Sequence, residues 1–196
     1  MNQNQTQQTQ SLALAVIDGE TLMEQRLEPT RFCVETLLPQ GLCILAGAPK
    51  LGKSWLVLDL CLHVAKGEPL WDLPTVRGTT LYLCLEDSPN RIQERLNFLT
   101  DEVPSNVYFA MESKTMQDGL EEQIAGFCHE HPDTRLVVID TFQLIRGQEK
   151  EASYATDYAE IRRVKGLADR LGICILLVHH LRKMGDSDSL NKISGS

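Results

Sequence analysis

LCILAGAPKLGKSWLVLDLCLHVAKG, residues 42–67, is the stretch that decides the fold of this chain. Its first five residues are apolar, which is typical of a strand buried on both faces of a sheet. A loop with two glycines follows, and beyond it apolar residues recur at helical spacing up to Gly67, where a helix would end. The stretch therefore predicts a strand, a tight loop and a helix in direct succession.

The loop in this stretch matches the phosphate-binding pattern GxxxxGK[ST] at every position. Its backbone N–H groups would form an anion-binding nest, and the helix behind it would direct its positive dipole end at the phosphates. Lys53 is expected to reach the β and γ phosphates of a nucleoside triphosphate and to act in catalysis, and the Ser54 hydroxyl to bind Mg²⁺. The predicted nucleotide-binding residues are Gly47, Ala48, Pro49, Lys50, Leu51, Gly52, Lys53, Ser54 and Trp55.

Outside this stretch, short apolar runs alternate with helical segments. The runs that predict buried strands are 79–85, 107–110, 136–139 and 173–178. The segments that predict helices are 90–99, Leu120–Glu130 and Tyr154–Leu171. Ser88 and Pro89 have the residue types of a helix N-cap and first helical position, and Gly172 would end the last helix. This alternation predicts an α/β fold with a mostly parallel sheet covered by helices on both faces.

Polar side chains end three of the predicted strands, and function collects at the carboxyl ends of strands in open parallel sheets. Asp140 ends LVVID and suits a direct or water-bridged contact to Mg²⁺, although an aspartate there can also be a plain helix cap. Glu86 ends LYLCLE and suits a general base, or else a solvated residue at a turn. His180 ends ILLVHH with His179 beside it, and alternation along a strand directs only one of the two histidines into the site. We favour His180 as the residue that contacts the γ phosphate.

Two further pairs of residues are assigned from their positions. Arg182 and Lys183 follow the last predicted strand, where they would be a solvated charge pair, a cationic contact to the nucleotide of an adjacent subunit, or a contact to a polyanion. Trp55 and Trp71 are expected to be core or packing residues rather than base stackers.

Taken together, these motifs resemble the RecA-type ATPases, and within them the RepA-like group (the AAA_25 type) found in plasmid replicative helicases and in ATPases of phages and mobile elements. GAPKLGKSWLVLDL and TTLYLCLEDSPNRIQERL are particularly similar to that group, and IDTFQLI and LVHHLRK follow in the proper order. The resemblance covers roughly residues 35–196.

The resemblance implies a RecA-like P-loop NTPase fold in which the sensor strand separates the Walker A and Walker B strands. It implies that Glu86 activates water, that His180 senses the γ phosphate, and that Arg182 and Lys183 lead into a loop facing the centre of a ring. It also implies a hexameric ring that uses ATP to move along single-stranded DNA. Members of the group continue with further strands beyond the segment matching KISGS. We therefore expect an N-terminal segment at 1–30, partly disordered, and a core at 31–196 that is truncated at its C-terminus.

Composition places further bounds on function. The 196 residues are 42% hydrophobic and 23% charged, which is ordinary for one globular domain. A net charge of −8 argues against a large sequence-independent DNA-binding surface, which would usually be basic. No apolar run is long enough to span a membrane, and the polar start MNQNQTQQTQ is unlike a secretory signal, so we expect a cytoplasmic protein.

Three functions remain after these considerations, and we rank the ATP-driven motor on DNA first. The second is a nucleotide-switched regulator, or a truncated remnant, with weak hydrolysis. The third is a small-molecule kinase, for which Arg146 and the loop 147–153 would have to supply the arginine-bearing lid. No NKxD-like motif for reading guanine is present, and ATP rather than GTP is inferred from the resemblance.

Overall fold

The computed structural model of the chain describes residues 14–146 and 154–181. The helices are α1 (Gly19–Glu24), α2 (Lys53–Lys66), α3 (Pro89–Leu99), α4 (Leu120–Glu130), α5 (Phe142–Ile145) and α6 (Tyr154–Leu171). The strands are β1 (Phe32–Val34), β2 (Leu38–Pro39), β3 (Gly41–Gly47), β4 (Thr79–Cys84), β5 (Val107–Ala110), β6 (Thr134–Asp140) and β7 (Cys174–His180).

The central sheet has five parallel strands in the order β3-β7-β6-β4-β5. The strand that leads into the phosphate loop, β3, is therefore separated by β7 from the Walker B strand, β6. This confirms the predicted mostly parallel sheet, in which the sensor strand lies between the two. Because all five strands run the same way, their carboxyl ends meet along one edge of the sheet.

The ends of the helices follow the local sequence. Gly67 adopts a left-handed conformation with φ 74° and donates its N–H to the carbonyl of His63, which ends α2. The Ser88 side chain accepts a hydrogen bond from the N–H of Arg91, and Pro89 opens α3. Both features were predicted, and they set the residue at which α2 ends and the residue at which α3 begins.

Helices cover both faces of the sheet, as the sequence predicted. On one face α2 packs against strand residues such as Tyr82, Val138 and Leu176. On the other face α4, α5 and α6 pack against their alternating neighbours, such as Leu83 and Ile139. The central residues of β4, β6 and β7 are buried on both faces of the sheet, and this produces a three-layer α/β structure.

The strand β3 lies at the edge of the sheet within the described part of the chain. It pairs with β7 on one side, and no described strand pairs with its other side. Ile44 is 51% exposed and Ala46 is exposed, whereas the sequence predicted a strand buried on both faces. Periodicity cannot distinguish an edge strand from a central one when both are apolar.

The segment that precedes the sheet has few contacts with the core. Residues 14–31 are all exposed, and the first residues buried in the core are Cys33 and Val34, in the short antiparallel hairpin of β1 and β2. The helix α1 buries none of its residues. The domain boundary at residue 31 stays a prediction, and the predictions for residues 1–10, 147–153, Arg182, Lys183 and the tail lie outside the described residues.

Candidate nucleotide site

The phosphate loop connects β3 to the first turn of α2. Gly52 adopts a left-handed conformation with φ 82°, as does Lys50 with φ 66°, and these two residues bend the chain back on itself. A Cβ built on Gly47 would lie 3.4 Å from Leu51 and 3.6 Å from Lys53, so the loop packs closely around this glycine. No side chain caps the start of α2, which leaves its first N–H groups for a ligand.

Lys53 extends into the loop rather than into solvent. Its ammonium donates hydrogen bonds to the carbonyls of Gly47 and Ala48, at 3.0 and 2.8 Å, and the residue is only 8% exposed. A buried cation is stable only where oxygen atoms surround it. The loop thus holds one positive charge at its centre, where a polyphosphate would meet it.

Asp140, the last residue of β6, is a buried carboxylate with one satisfied oxygen. Its Oδ2 accepts a hydrogen bond of 2.9 Å from the Tyr82 hydroxyl, and its Oδ1 has no hydrogen-bond partner in the described structure. Burial raises the pKa of Tyr82, and the negative charge of Asp140 raises the pKa further, so the hydroxyl remains a donor. A buried oxygen without a partner costs about 1–3 kcal/mol, which suits an atom that binds a cation or its water.

Glu86 lies in the turn after β4, beside the end of β6. Its carboxylate accepts a hydrogen bond of 3.2 Å from the hydroxyl of Thr141, the buried residue that follows Asp140. The Glu86 side chain is otherwise exposed to the pocket and to solvent. This position leaves one face of the carboxylate open to a water molecule.

The two histidines that end β7 lie on opposite faces of the sheet. His180 pairs in register with Gly47 and lines the pocket above the phosphate loop. His179 packs its ring against Phe142, with centroids 6.0 Å apart, on the side of α5. Of the two histidines, therefore, it is His180 that borders the pocket.

These residues meet in one open pocket of about 470 Å³. The predicted site residues that line it are Pro49, Lys50, Gly52, Lys53, Ser54, Trp55, Glu86 and His180. Three other predicted residues lie elsewhere in the loop: Gly47 and Ala48 hold Lys53 through their carbonyls, and Leu51 is 70% exposed. Asp140 is buried and does not line the pocket, which suits a contact through water.

One wall of the pocket comes from α3 and was missed by the sequence analysis. Arg91 and Arg95 line the pocket together with Trp55. Both arginines pair with Asp87, whose side chain is 5% exposed, and Arg95 does so through both of its terminal nitrogens. The spacing of Asp87, Arg91 and Arg95 by four residues was the available signal, because it aligns the two arginines on the side of α3 that faces Asp87 in the preceding turn.

The two tryptophans differ in how far they meet the expectation of core or packing residues. That expectation was wrong for Trp71, which is 64% exposed in the loop after α2. Trp55 is 40% exposed and is not a core residue, although its ring does pack against Phe98 and Arg95. Both rings therefore retain a large surface open to solvent.

Arg146 is the residue that the kinase alternative requires in a mobile lid. Its side chain is 20% exposed and lies 3.4 Å from the carboxylate of Glu160, which belongs to α6. A largely buried ion pair of this kind fixes Arg146 to a helix and is poorly suited to a lid.

Protein side chains alone do not form a metal site in the described part of the chain. Over residues 14–146 and 154–181, no group of three His, Cys, Asp or Glu side chains could hold a metal ion by itself. Mg²⁺ in nucleotide sites is usually bound by one or two protein oxygens with phosphates and water, and Ser54 and Asp140 fit that donor set.

Among residues 14–146 and 154–181, no helix is long and apolar enough to cross a membrane.

Comparison with protein families gives one match that covers most of the chain. The model of the family AAA_25, described as an AAA domain, matches residues 7–186. No curated protein matches the chain significantly.

Two solved structures of similar fold are longer than this chain. One is described as an ATPase domain and is 14% identical, with a TM-score of 0.56 over 74% of this chain and 58% of its own. Another is described as "The Structure Of A DnaB-Like Replicative Helicase And Its Interactions With Primase", with the same identity, TM-score and share of this chain, and 39% of its own. The chain thus spans 58% and 39% of the length of these two structures. At this identity the likeness shows the RecA-like P-loop fold.

Proposed function

The chain belongs to the AAA_25 family of AAA domains, and from that premise we propose that it is the ATP-hydrolysing core of a DNA-dependent motor of the replicative-helicase kind. The observation that carries the proposal is the convergence of Lys53, at the start of α2, with Glu86 and His180, from two strand ends, on one pocket. A cation that stabilises charge on the phosphates and a carboxylate that orients the attacking water are groups that phosphoanhydride hydrolysis uses, and His180 adds a polar contact at the γ phosphate.

Binding begins with an exchange of partners at Lys53. Its ammonium would move from the carbonyls of Gly47 and Ala48 to the phosphates, so a charged partner replaces two neutral ones. The uncapped N–H groups at the start of α2 would bind the same phosphates. Ser54 and Asp140 would hold Mg²⁺, which neutralises the charge on the phosphate oxygens when it is bound.

Hydrolysis would use Glu86 as the general base. Its carboxylate is oriented by Thr141 on one side and is open on the other, where it can accept a proton from the attacking water. His180 lies opposite on β7, and its contact with the γ phosphate would change when that phosphate leaves. Because Leu181 donates its N–H to the carbonyl of Gly47, such a change would be transmitted directly to the segment after β7.

The partners of the chain are also part of the proposal. We assign it to a homo-oligomer, a hexameric ring by family resemblance, that acts on single-stranded DNA in the cytoplasm for a plasmid, phage or mobile element. Arg182 and Lys183 follow Leu181 in sequence and are assigned to phosphate contacts with DNA or with a neighbouring nucleotide. With a net charge of −8, binding to DNA has to rely on such local contacts.

Steady-state hydrolysis of Mg-ATP by the 196-residue chain tests this function. We expect turnover per subunit to rise with protein concentration and with added single-stranded DNA, since catalysis in a ring is shared between subunits. The matched control is Lys53→Ala, which should abolish measurable Mg-ATP binding by calorimetry. Unchanged affinity in Lys53→Ala would refute the site. Clear ATP binding with flat, very low hydrolysis would refute the motor and leave a nucleotide-switched regulator.

A further inference from the structure

The wall that α3 contributes to the pocket is anchored by a buried ion pair. Arg95 is 9% exposed, and its guanidinium is held by both carboxylate oxygens of Asp87. The same guanidinium lies over the ring of Trp55, 5.7 Å from its centroid. The indole of Trp55 is therefore supported from behind by a cation that is itself fixed.

The outer side of this wall is aromatic and exposed. Trp55 is 40% exposed, and the ring of Phe98 meets it edge to face with centroids 6.1 Å apart. Phe98 is itself 84% exposed at the end of α3. Two exposed aromatic rings side by side next to a polar pocket form the kind of apolar patch that marks a binding surface.

The aromatic pair is continuous with the phosphate site. A second pocket, of about 260 Å³, adjoins the first, and the two share Trp55, Arg91 and Arg95 as lining residues. Trp55 follows Ser54 directly in the chain, so its ring is attached to the same helical turn that would hold the phosphates. A nucleotide bound by its phosphates at Lys53 carries its base within reach of this wall.

We propose that Trp55, supported by Arg95 and flanked by Arg91 and Phe98, is the surface on which the purine base of the bound nucleotide stacks. The inference rests on the proposed function, because it concerns the same nucleotide. A flat purine would cover the exposed indole, and the edge of Phe98 would border it. Arg91, whose side chain is 60% exposed and which pairs with Asp87 at 3.2 Å, has a planar guanidinium beside the ring that suits a base or ribose.

Tryptophan fluorescence provides a direct test, because Trp55 and Trp71 are the only tryptophans of the chain. Trp71 lies beyond the far end of α2, a helix of 14 residues and thus about 21 Å long. The variant Trp71→Phe leaves Trp55 as the single reporter. Mg-ATP is expected to change the emission of Trp55, whereas Mg-tripolyphosphate, which has no base, is expected to bind without that change.

Affinities complete the test. Trp55→Ala should weaken Mg-ATP about 5- to 150-fold, the range seen for loss of one base–aromatic stack, and leave the affinity for Mg-tripolyphosphate within about twofold. Trp55→Phe should retain most of the affinity for Mg-ATP. Equal weakening of both ligands in Trp55→Ala would overturn the inference, because Trp55 would then act through the phosphate loop. An equal emission change with both ligands would also overturn it.

Failure of the proposed function gives a different result. If neither ligand binds the parent chain, or if both bind Lys53→Ala as well as the parent, the assignment of the phosphate site is wrong. The assignment of Trp55 to base stacking is then wrong as well. If the binding of both ligands depends on Lys53, but neither the emission of Trp55 nor the affinity of Trp55→Ala differs between them, only the assignment of Trp55 to base stacking is wrong.

Discussion

Two aspartates at neighbouring strand ends have opposite surroundings. Asp87, in the turn after β4, has a side chain that is 5% exposed and is paired with two arginines. Asp140, at the end of β6, is 3% exposed and has one neutral partner, the Tyr82 hydroxyl, with its other oxygen unpaired among the described residues. The two residues have similar burial but differ in the positive charge around them.

The difference distinguishes Asp87, a structural carboxylate, from Asp140, a carboxylate suited to binding a cation. A buried charge is tolerated when it is paired, and removal of one partner leaves the other charge unpaired at a high cost. Asp87 meets that description and fixes α3 to the turn that carries Glu86. Asp140 has no cationic partner among the described residues, and Mg²⁺ would provide the positive charge.

The largest expected effect concerns Glu86, the exposed carboxylate that precedes Asp87 in the turn after β4 and contacts Thr141, the neighbour of Asp140. Glu86→Gln should lower the turnover of ATP by about two to four orders of magnitude, because the amide cannot accept the proton of the attacking water. Binding of Mg-ATP, measured by calorimetry, should be unchanged. If turnover stayed intact, Glu86 would be a capping-region carboxylate, and hydrolysis would need another base.

The second prediction removes the charge of each aspartate in turn. Asp87→Asn should lower the free energy of unfolding by about 3 kcal/mol, since Arg95 loses its counter-charge in a buried place. Asp140→Asn should change it by less than about 1 kcal/mol and should lower the affinity for Mg²⁺ about 10- to 100-fold. Denaturant unfolding and Mg²⁺ titration of ATP binding measure the two effects.

The comparison would be broken by equal behaviour of the two variants. A large loss of stability in Asp140→Asn, without any change in the dependence on Mg²⁺, would mean that Asp140 has a structural partner. Loss of the dependence on Mg²⁺ in Asp87→Asn would assign the metal to the other turn.

The smallest expected effect is that of Tyr82→Phe. This variant removes the hydrogen bond that the described structure gives to the Asp140 side chain, and it should lower the free energy of unfolding by about 1–2 kcal/mol. In the Asp140→Asn background the same substitution should cost less, because no charge remains for the hydroxyl to stabilise. An equal cost in both backgrounds, measured by urea unfolding, would show that the hydroxyl and the carboxylate are not coupled.

Much of the fold could be predicted from local chemistry. The apolar runs located all five strands of the sheet, Ser88 and Pro89 located the start of α3, and Gly67 the end of α2. The alternation of strands and helices was enough to predict the parallel sheet, and the place of the sensor strand between the Walker A and Walker B strands followed from family resemblance. The loop at 47–54 was recognisable because its residue types and spacing are dictated by the phosphate it binds.

The parts that could not be predicted depend on contacts between distant segments. Arg91 and Arg95 resemble solvated residues of a polar helix until α3 is placed beside Trp55 at the start of α2. The exposure of Trp71 depends on a loop with positive φ angles at Trp71 and Asp72, which residue type alone does not indicate. His180 could be favoured over His179 from the sequence only as a preference, because the face of β7 that carries each histidine depends on register.

The exposed edge of β3 also has a consequence for how the chain behaves as a sample. A seven-residue apolar strand whose second side meets no described strand is a template for strands from other copies. Association by this route would depend on concentration and be indifferent to nucleotide. Assembly through a nucleotide site shared between subunits would instead be promoted by Mg-ATP and abolished by Lys53→Ala. Light scattering of the parent and of Ile44→Lys, with and without Mg-ATP, therefore distinguishes association through the edge of β3 from assembly through the nucleotide site. The first should be reduced by Ile44→Lys, and the second should require Mg-ATP.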